Sequence, residues 1–383
     1  MSGLAATGLA VHVVELNPYA PRPFVFTEAA LCLRDAIRAT GLRSELWVNQ
    51  ADARAITIVL GAVPPRCVVV ERLDPRKTVV FNFEQFGSTS ALVGDDYRQW
   101  LKDRLVADYH SHNVAYLKRE HGDTQQAFEL PLVPSPALAY PAPSEGKTVD
   151  VLFFGTLSER RARILQALEA AGLSVQAVSG AYANELAPAI VRARLVLHVH
   201  FYETGLFPVA RVLQPVVQGV PVVCETSALS QSSDWSRSGI VFADYPDLVE
   251  ACKRLLQSPD EARERARRSQ RFARELDFET PFTRLLQAVL RSIGSGAAKV
   301  PTAHESLDLP PAAPEPPDDG RPLSTAEIEA ILAREATQLP PESHLPAAPI
   351  PFKERQLADF RLGRWAMALL VVLGLLTMWQ SVR

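Results

Sequence analysis

Residues 149–172 read VDVLFFGTLSERRARILQALEAAG, and this stretch decides the fold class. VDVLFF is a nearly continuous apolar run, the mark of a strand buried on both faces of a parallel sheet. It stops at Gly155, a Thr-Leu-Ser turn follows, and a helix is predicted from about Glu159 to Ala171, ended by Gly172. The alternation continues with SVQAVSG (174–180), RLVLHVHF (194–201), a helix over 207–218 despite Pro215, PVVCE (221–225) and GIVFADY (239–245). Closing helices are predicted over 247–257, 260–276 and 280–293.

On the N-terminal side, PLVPSPALAYPAPSEGK (131–147) is rich in proline and without periodicity, and reads as a linker. Before it a first βα series is visible. VHVVEL (11–16) precedes Thr27 as an N-cap and a helix over 28–40 stopped by Gly41. ELWVN (45–49), AITIVLG (55–61), KTVVFNF (77–83) and a short piece near Ala107–Tyr109 read as strands, with helices near 97–104 and 114–120. The expectation is α/β: two Rossmann-like domains, 1–135 and 148–293, facing a cleft.

The chain of 383 residues is long enough for two such cores, and 47% of it is apolar. A net charge of -3 supplies no general field for nucleic acid. Cys32, Cys67, Cys224 and Cys252 are scattered, without metal or disulfide spacing, and read as reduced. MSGLAATGLA lacks a basic n-region and a long apolar run, so no secretory signal is read there.

Residues 294–362 are Pro- and Ala-rich and read as a flexible tether, with one short helix near 324–338 where Ser324 and Glu327 form a capping box. WAMALLVVLGLLTMWQSV (365–382) is uncharged and bracketed by Arg364 and Arg383. As a helix it covers roughly 27 Å at ~1.5 Å per residue, enough for one transmembrane pass. Lys353, Arg355, Arg361 and Arg364 precede it, which places both domains in the cytoplasm, at a bacterial inner membrane.

In the cleft, backbone N–H groups at the helix start after Gly155, the Thr156 and Ser158 hydroxyls, and Arg160 or Arg161 form a candidate diphosphate site; a plain strand–helix turn with solvated arginines is the alternative. His198 and His200 share a strand face but have no third ligand in the sequence, so no metal is assigned. Asp95-Asp96 and Asp318-Asp319 are poor metal motifs, and the mixed-sign run 261–276 reads as a solvated helix face.

Four stretches in order carry a family resemblance. VLFFGTLSERR resembles the DVLFYGS.NERR run of a bacterial family of GT-B-type glycosyltransferases, glycosyltransferase family 1-like. LHVHFYETGLFPVARVLQPVVQGVPVVCE (197–225) resembles the segment that follows it there. VVFNFEQ (79–85) is similar to that family's iiyNlEQ, and DYHSHN (108–113) to its DYs..N element. The resemblance spans roughly residues 45–290 and implies a nucleotide-sugar-binding second domain and an acceptor-side first domain. It also implies no cofactor beyond the nucleotide-sugar donor, and no metal, since cationic side chains neutralise the departing diphosphate.

By that resemblance the donor site comprises Gly155, Thr156, Ser158, Arg160, Arg161 and Arg211, with Tyr202, Glu203 and Glu225 near sugar or ribose hydroxyls. Glu84, Gln85 and Asn113 are assigned to the acceptor side. No family-like general base is identifiable; Glu84, His110 and His112 are the catalytic candidates. The chain departs from the pattern at Pro208, which stands in FPVAR where many such proteins carry a glutamate ahead of the helix arginine. Either Glu203 substitutes or donor binding is impaired, while the helix tolerates the proline. The sequence therefore reads as a membrane-tethered glycosyltransferase acting on a glycan, lipid-linked or protein acceptor. The alternative is a catalytically degenerate, glycosyltransferase-like binding or scaffold protein. A nucleotide-sugar epimerase or dehydrogenase fits less, as no GxGxxG follows either first strand.

Overall fold

In the computed structural model the described residues are 9–87, 94–122, 124–202, 204–294, 304–307, 309 and 322–323. The first sheet comprises β1 (Val11–Glu15), β2 (Leu46–Val48), β4 (Ile56–Leu60), β5 (Thr78–Asn82), β6 (Leu105–Asp108) and β7 (Ala127–Glu129). Its order is β2-β1-β4-β5-β6-β7 and every pairing is parallel. β3 (Gln50–Asp52) lies outside this sheet. The second sheet comprises β8 (Val149–Phe154), β9 (Val175–Val178), β10 (Ala193–His198), β11 (Val222–Glu225), β12 (Val241–Ala243) and the edge strand β14 (Pro322–Leu323), in the order β12-β11-β10-β8-β9-β14, parallel up to that edge.

β1, β4 and β5 are buried along their whole length, which is why they read as unbroken apolar runs rather than alternating ones. Helices close each crossover: α1 (Thr27–Ala39), α2 (Cys67–Val70), α3 (Asp95–Leu101), α4 (Ser111–His121), α5 (Glu159–Ala170), α6 (Ala187–Arg192), α7 (Val209–Val217), α8 (Ala228–Ser232), α9 (Leu248–Gln257), α10 (Pro259–Glu275) and α11 (Glu279–Gly294). α1 begins one residue earlier than expected. Phe26 occupies the cap, and the Thr27 hydroxyl instead accepts from Phe24 N at 2.8 Å and donates to Glu15 Oε1 at 2.8 Å. Pro215 sits in the last turn of α7, where little of the backbone ladder remains to be broken.

The two sheets are not independent bodies joined by a free linker. One apolar cluster runs from Val13, Ile58 and Phe81 through Leu33 and Ile37 of α1 to Val212 and Leu213 of α7 and Phe282 of α11. The Pro-rich stretch expected to be a linker joins it: Leu132 and Leu138 are buried, and Gln218 Nε2 donates to Leu138 O at 2.9 Å.

The tether also departs from expectation at its described residues. β13 (His304–Ser306) pairs antiparallel with β3, Leu307 N donates to Asn49 O at 2.9 Å, and Leu307 is 1% exposed among Val14, Ala51 and Phe86. β14 (Pro322–Leu323) adds an antiparallel edge to β9. Edge strands offer a row of unpaired backbone groups, and a trailing segment with a few apolar residues satisfies them. Among the described residues no helix is long and apolar enough to cross a membrane; the span read at 365–382 and the helix read at 324–338 lie outside them.

Candidate functional site

The carboxyl ends of both sheets carry the polar side chains, as expected for open α/β sheets. Glu15, Asn82 and Asp108 end β1, β5 and β6; Gly155 follows β8, His198 ends β10 and Glu225 ends β11. Across the junction Glu28 of α1 is buried and accepts from Ala183 N at 2.7 Å, and Arg22 pairs with Glu185 at 3.1 Å.

Gly155 adopts φ +129°, and a Cβ there would stand 3.3 Å from Cζ of Arg211. Arg211, on α7, lies 5.6 Å from the Phe154 ring centroid. Among the described residues its guanidinium makes no hydrogen bond or ion pair, and it is half-buried. Pro208 caps the same helix and its carbonyl accepts from Arg211 N at 2.8 Å.

The two arginines of α5 are in the same region but committed to the protein. Arg161 is 6% exposed; its Nε and Nη2 donate to Val199 O at 3.0 and 2.7 Å, and Nη1 to Thr156 O at 2.6 Å. Burial, with Arg211 and Arg160 nearby, pulls its pKa down to about 9, which leaves it charged at neutral pH. Arg160 pairs with Glu225, its Nη1 reaching Oε2 at 2.8 Å, and stacks 3.9 Å from the Tyr245 ring centroid. Glu225 also accepts from His200 N at 2.8 Å. Arg160, Arg161 and Glu225 thus fix the β8, β10 and β11 ends in place instead of presenting free groups to a ligand.

The remaining assigned donor-side groups divide in two. Thr156 is exposed at the turn, and Ser158 caps α5, its hydroxyl accepting from Arg161 N at 3.4 Å. Tyr202 is half-buried, and its hydroxyl titrates above its ordinary range through burial and the nearby Glu84. Glu203 lies outside the described residues. His198 and His200 meet edge to face at 5.4 Å. Burial holds both neutral, with His200 lowered to about 4. His200 Nε2 is buried without a partner, and no third ligand accompanies the pair among the described residues.

On the first-domain side a buried acid organises the NFEQ turn. Asp108 Oδ2 accepts from Asn82 Nδ2 at 2.6 Å and from Asn113 Nδ2 at 2.9 Å, while Oδ1 accepts from His110 N at 2.9 Å. Asn113 is fully buried and spent on this turn, and Gln85 Oε1 accepts from Thr204 Oγ1 at 2.5 Å and Leu206 N at 3.3 Å across the junction. Asn113 is therefore not free for an acceptor, while the Nε2 of the half-buried Gln85 makes no hydrogen bond among the described residues. His110 Nε2 faces Leu229 O at 3.3 Å and His112 Nε2 faces Phe86 O at 3.2 Å, so both imidazoles are also engaged. The carboxylate of Glu84 has no hydrogen bond or ion pair among the described residues.

Sequence reading missed Asp108 as an organiser, and it missed Glu28 at the junction. The available signal was position: an acid at the end of an otherwise apolar strand, and an acid on the buried face of α1 beside Leu33 and Ile37.

Residues 160–287 match the protein family described as "Glycosyl transferase-like". No curated protein matches the chain. Among solved structures, similar ones include TarM of S. aureus (10% identity, 62% of this chain and 55% of that one, TM-score 0.47). HepE of Anabaena, in complex with UDP and glucose, is similar at 10% identity over 75% of this chain and 100% of that one, TM-score 0.49. Sucrose-phosphate synthase of Thermosynechococcus elongatus is similar at 14% identity over 75% and 100%, TM-score 0.46. The chain spans about half the length of TarM. The architecture rests on the strand order above, and residues 160–287, most of the second α/β unit, are similar to the glycosyl transferase-like family, in line with the resemblance read from the sequence.

Proposed function

We propose that this chain is a glycosyltransferase that takes a nucleotide-sugar at the ends of β8 and β10 and transfers the sugar to an acceptor held against the first domain. The observation that carries the reading is Arg211. It is a half-buried guanidinium that makes no hydrogen bond or ion pair among the described residues, and the absence of a side chain at Gly155 lets it lie against the end of β8. The N-terminal turn of α5, Thr156 and Ser158 lie beside it, and helix N–H groups with one arginine suit a diphosphate. In a partly desolvated cleft this cation neutralises a leaving diphosphate without requiring a metal. Arg160, Arg161 and Glu225 serve as the frame that positions the strand ends. Tyr202 and Glu203 stay assigned to the sugar or ribose.

The acceptor class is a glycan, a lipid-linked saccharide or a protein. A membrane location follows if 365–382 spans a bilayer, with both α/β units on the cytoplasmic side; the basic residues before the span support that orientation. The boundaries 1–135, 148–293, 294–362 and 365–382 are kept for this reading, with 304–307 and 322–323 docked rather than free.

A second reading has its own support. Two arginines and Glu225 are consumed internally and Pro208 replaces an acid, as expected of a protein that kept the fold as a binding scaffold and lost turnover. Calorimetric titration of the full chain with UDP, GDP and their sugar derivatives, followed by turnover of whichever binds, separates the two. Binding with turnover supports the transferase, binding without turnover supports the scaffold, and the absence of any nucleotide binding contradicts both donor-site assignments.

A further inference from the structure

The chain beyond α11 docks at two places, and both lead to the same contact between the two α/β units. At the first, β13 pairs with β3, Leu307 N donates to Asn49 O at 2.9 Å, and the Leu307 side chain is buried. Asn49 carries this contact to the loop after β1: its Nδ2 donates to Asn17 O at 2.7 Å and its Oδ1 accepts from Asn17 N at 2.8 Å. Asn17 Nδ2 donates in turn to Arg22 O at 2.7 Å, and its Oδ1 accepts from Tyr19 N at 2.9 Å. Arg22 then crosses to the second unit, where Nε and Nη2 donate to Glu185 Oε1 and Oε2, each at 3.1 Å.

At the second place β14 pairs antiparallel with β9, Pro322 opposite Val178 and Leu323 opposite Ala177. β9 runs directly into the loop 179–186, which carries Glu185. In that loop Ala183 N donates to Glu28 Oε1 at 2.7 Å, Ala183 O accepts from Gln214 Nε2 at 3.0 Å, and the Tyr182 ring lies 6.2 Å from that of Phe24.

Two residues with left-handed backbones, Asn49 at φ +54° and Ala183 at φ +46°, stand on either side of this contact. Such conformations persist outside glycine where the surroundings over-determine them. Asn49 is held by Leu307 and Asn17, and Ala183 by Glu28 and Gln214. The Arg22–Glu185 pair is itself open to solvent, at 43% and 30% exposure, and an exposed pair contributes little alone. A pairing of two residues such as β14 is equally weak in isolation, but its tether to the β13 anchor raises its effective concentration.

We propose that the docked tail is a clamp on the junction: 304–307 and 322–323 together hold the loops 17–24 and 179–186 against each other. Both loops follow the carboxyl ends of their strands, where open α/β sheets bind ligands, so the clamp fixes the width of the cleft on that side. Release of the tail loosens the two loops and leaves the central strands in place. The clamp operates whether the chain turns over a donor or only binds one.

Hydrogen exchange on the full chain and its Leu307→Asp and Asn49→Gly variants tests this. Asn49→Gly keeps a residue that tolerates positive φ and the carbonyl that accepts from Leu307, and removes only the side-chain bonds to Asn17. In Leu307→Asp the amides of 50–52, 17–24 and 179–186 are expected to exchange faster by about tenfold or more, while those of β4 and β5 stay protected. In Asn49→Gly both loops exchange faster although 50–52 and 304–307 remain protected. Unchanged exchange at 179–186 in a Leu307→Asp protein that has lost protection at 50–52 overturns the clamp. So does unchanged exchange of both loops in Asn49→Gly, or exchange of 304–307 in the unaltered chain as fast as in an unstructured peptide. If Leu307→Asp loses protection across β4 and β5 as well, its fold is lost and Asn49→Gly decides.

Discussion

The guanidinium of Arg211 lies against Gly155 so closely that a Cβ at that glycine would stand 3.3 Å from both Cζ and Nη2. The strand end at β8 and the helix that carries the arginine are therefore matched to each other. The contact is this close because residue 155 lacks a side chain, and the residue adopts φ +129°, a region that other residues rarely enter. Gly155→Ala is expected to displace Arg211 and weaken nucleotide binding by about tenfold or more, with a stability cost of ~1–3 kcal/mol from backbone strain. Calorimetry and urea unfolding on the same preparation separate the two effects.

The Arg160–Glu225 pair is largely out of solvent, with side-chain exposures of 16% and 3%. Removing one member of such a pair strands the other. Glu225→Gln alone is expected to destabilise the protein by about 3 kcal/mol. Arg160→Met combined with Glu225→Gln recovers part of that loss, because a pair removed whole leaves no isolated charge. A double-mutant cycle in urea checks the sign of the coupling.

Stability is expected to fall as pH rises from about 6.5 to 8. Burial raises the folded pKa of Glu15 and Glu28 to about 7 and that of Asp108 to about 8, well above ordinary carboxyl values. In that window the folded state binds more protons than the unfolded state, so each such group costs about 1.4 kcal/mol per pH unit until its folded value is passed. His198 and His200 act in the opposite direction, since their lowered values make stability fall as pH drops below about 6.5. Melting temperature across this range checks it, and Asp108→Asn flattens the upper limb.

Leu307 is buried in the first-domain core although it lies beyond the last of the described helices. Leu307→Ala is expected to lower the unfolding free energy by about 2–4 kcal/mol. An unchanged denaturation midpoint would show that this segment does not dock.

Much of the architecture was legible because parallel strands buried on both faces leave an unmistakable record: VHVVEL and VDVLFF both became fully or largely buried central strands. The pieces that escaped are short, such as β3, β7 and α2, where tertiary pairing rather than local pattern decides the outcome. The site was legible as a set of residues but not as a division of labour. Adjacent Arg160 and Arg161 look equivalent in sequence, yet neighbours on a helix point about 100° apart. Arg161 falls on the stripe of Ile164, Leu165 and Leu168 and turns inward, a signal the periodicity carried. Hydrogen bonds over long separations, such as those of Asp108 to Asn82 and of Glu28 to Ala183, leave no comparable trace.

The central claim is that Arg211 receives the diphosphate, and calorimetric titration of UDP and GDP into the full chain, Arg211→Ala and Arg161→Ala tests it most directly. The account predicts saturable binding of one nucleotide, lost by at least about tenfold in Arg211→Ala, as expected for a charge-assisted contact worth ~1.5–3 kcal/mol. In Arg161→Ala it predicts lowered stability, with binding retained by the fraction that folds. Equal nucleotide affinity in Arg211→Ala and the unaltered chain, or no binding by either, would contradict it.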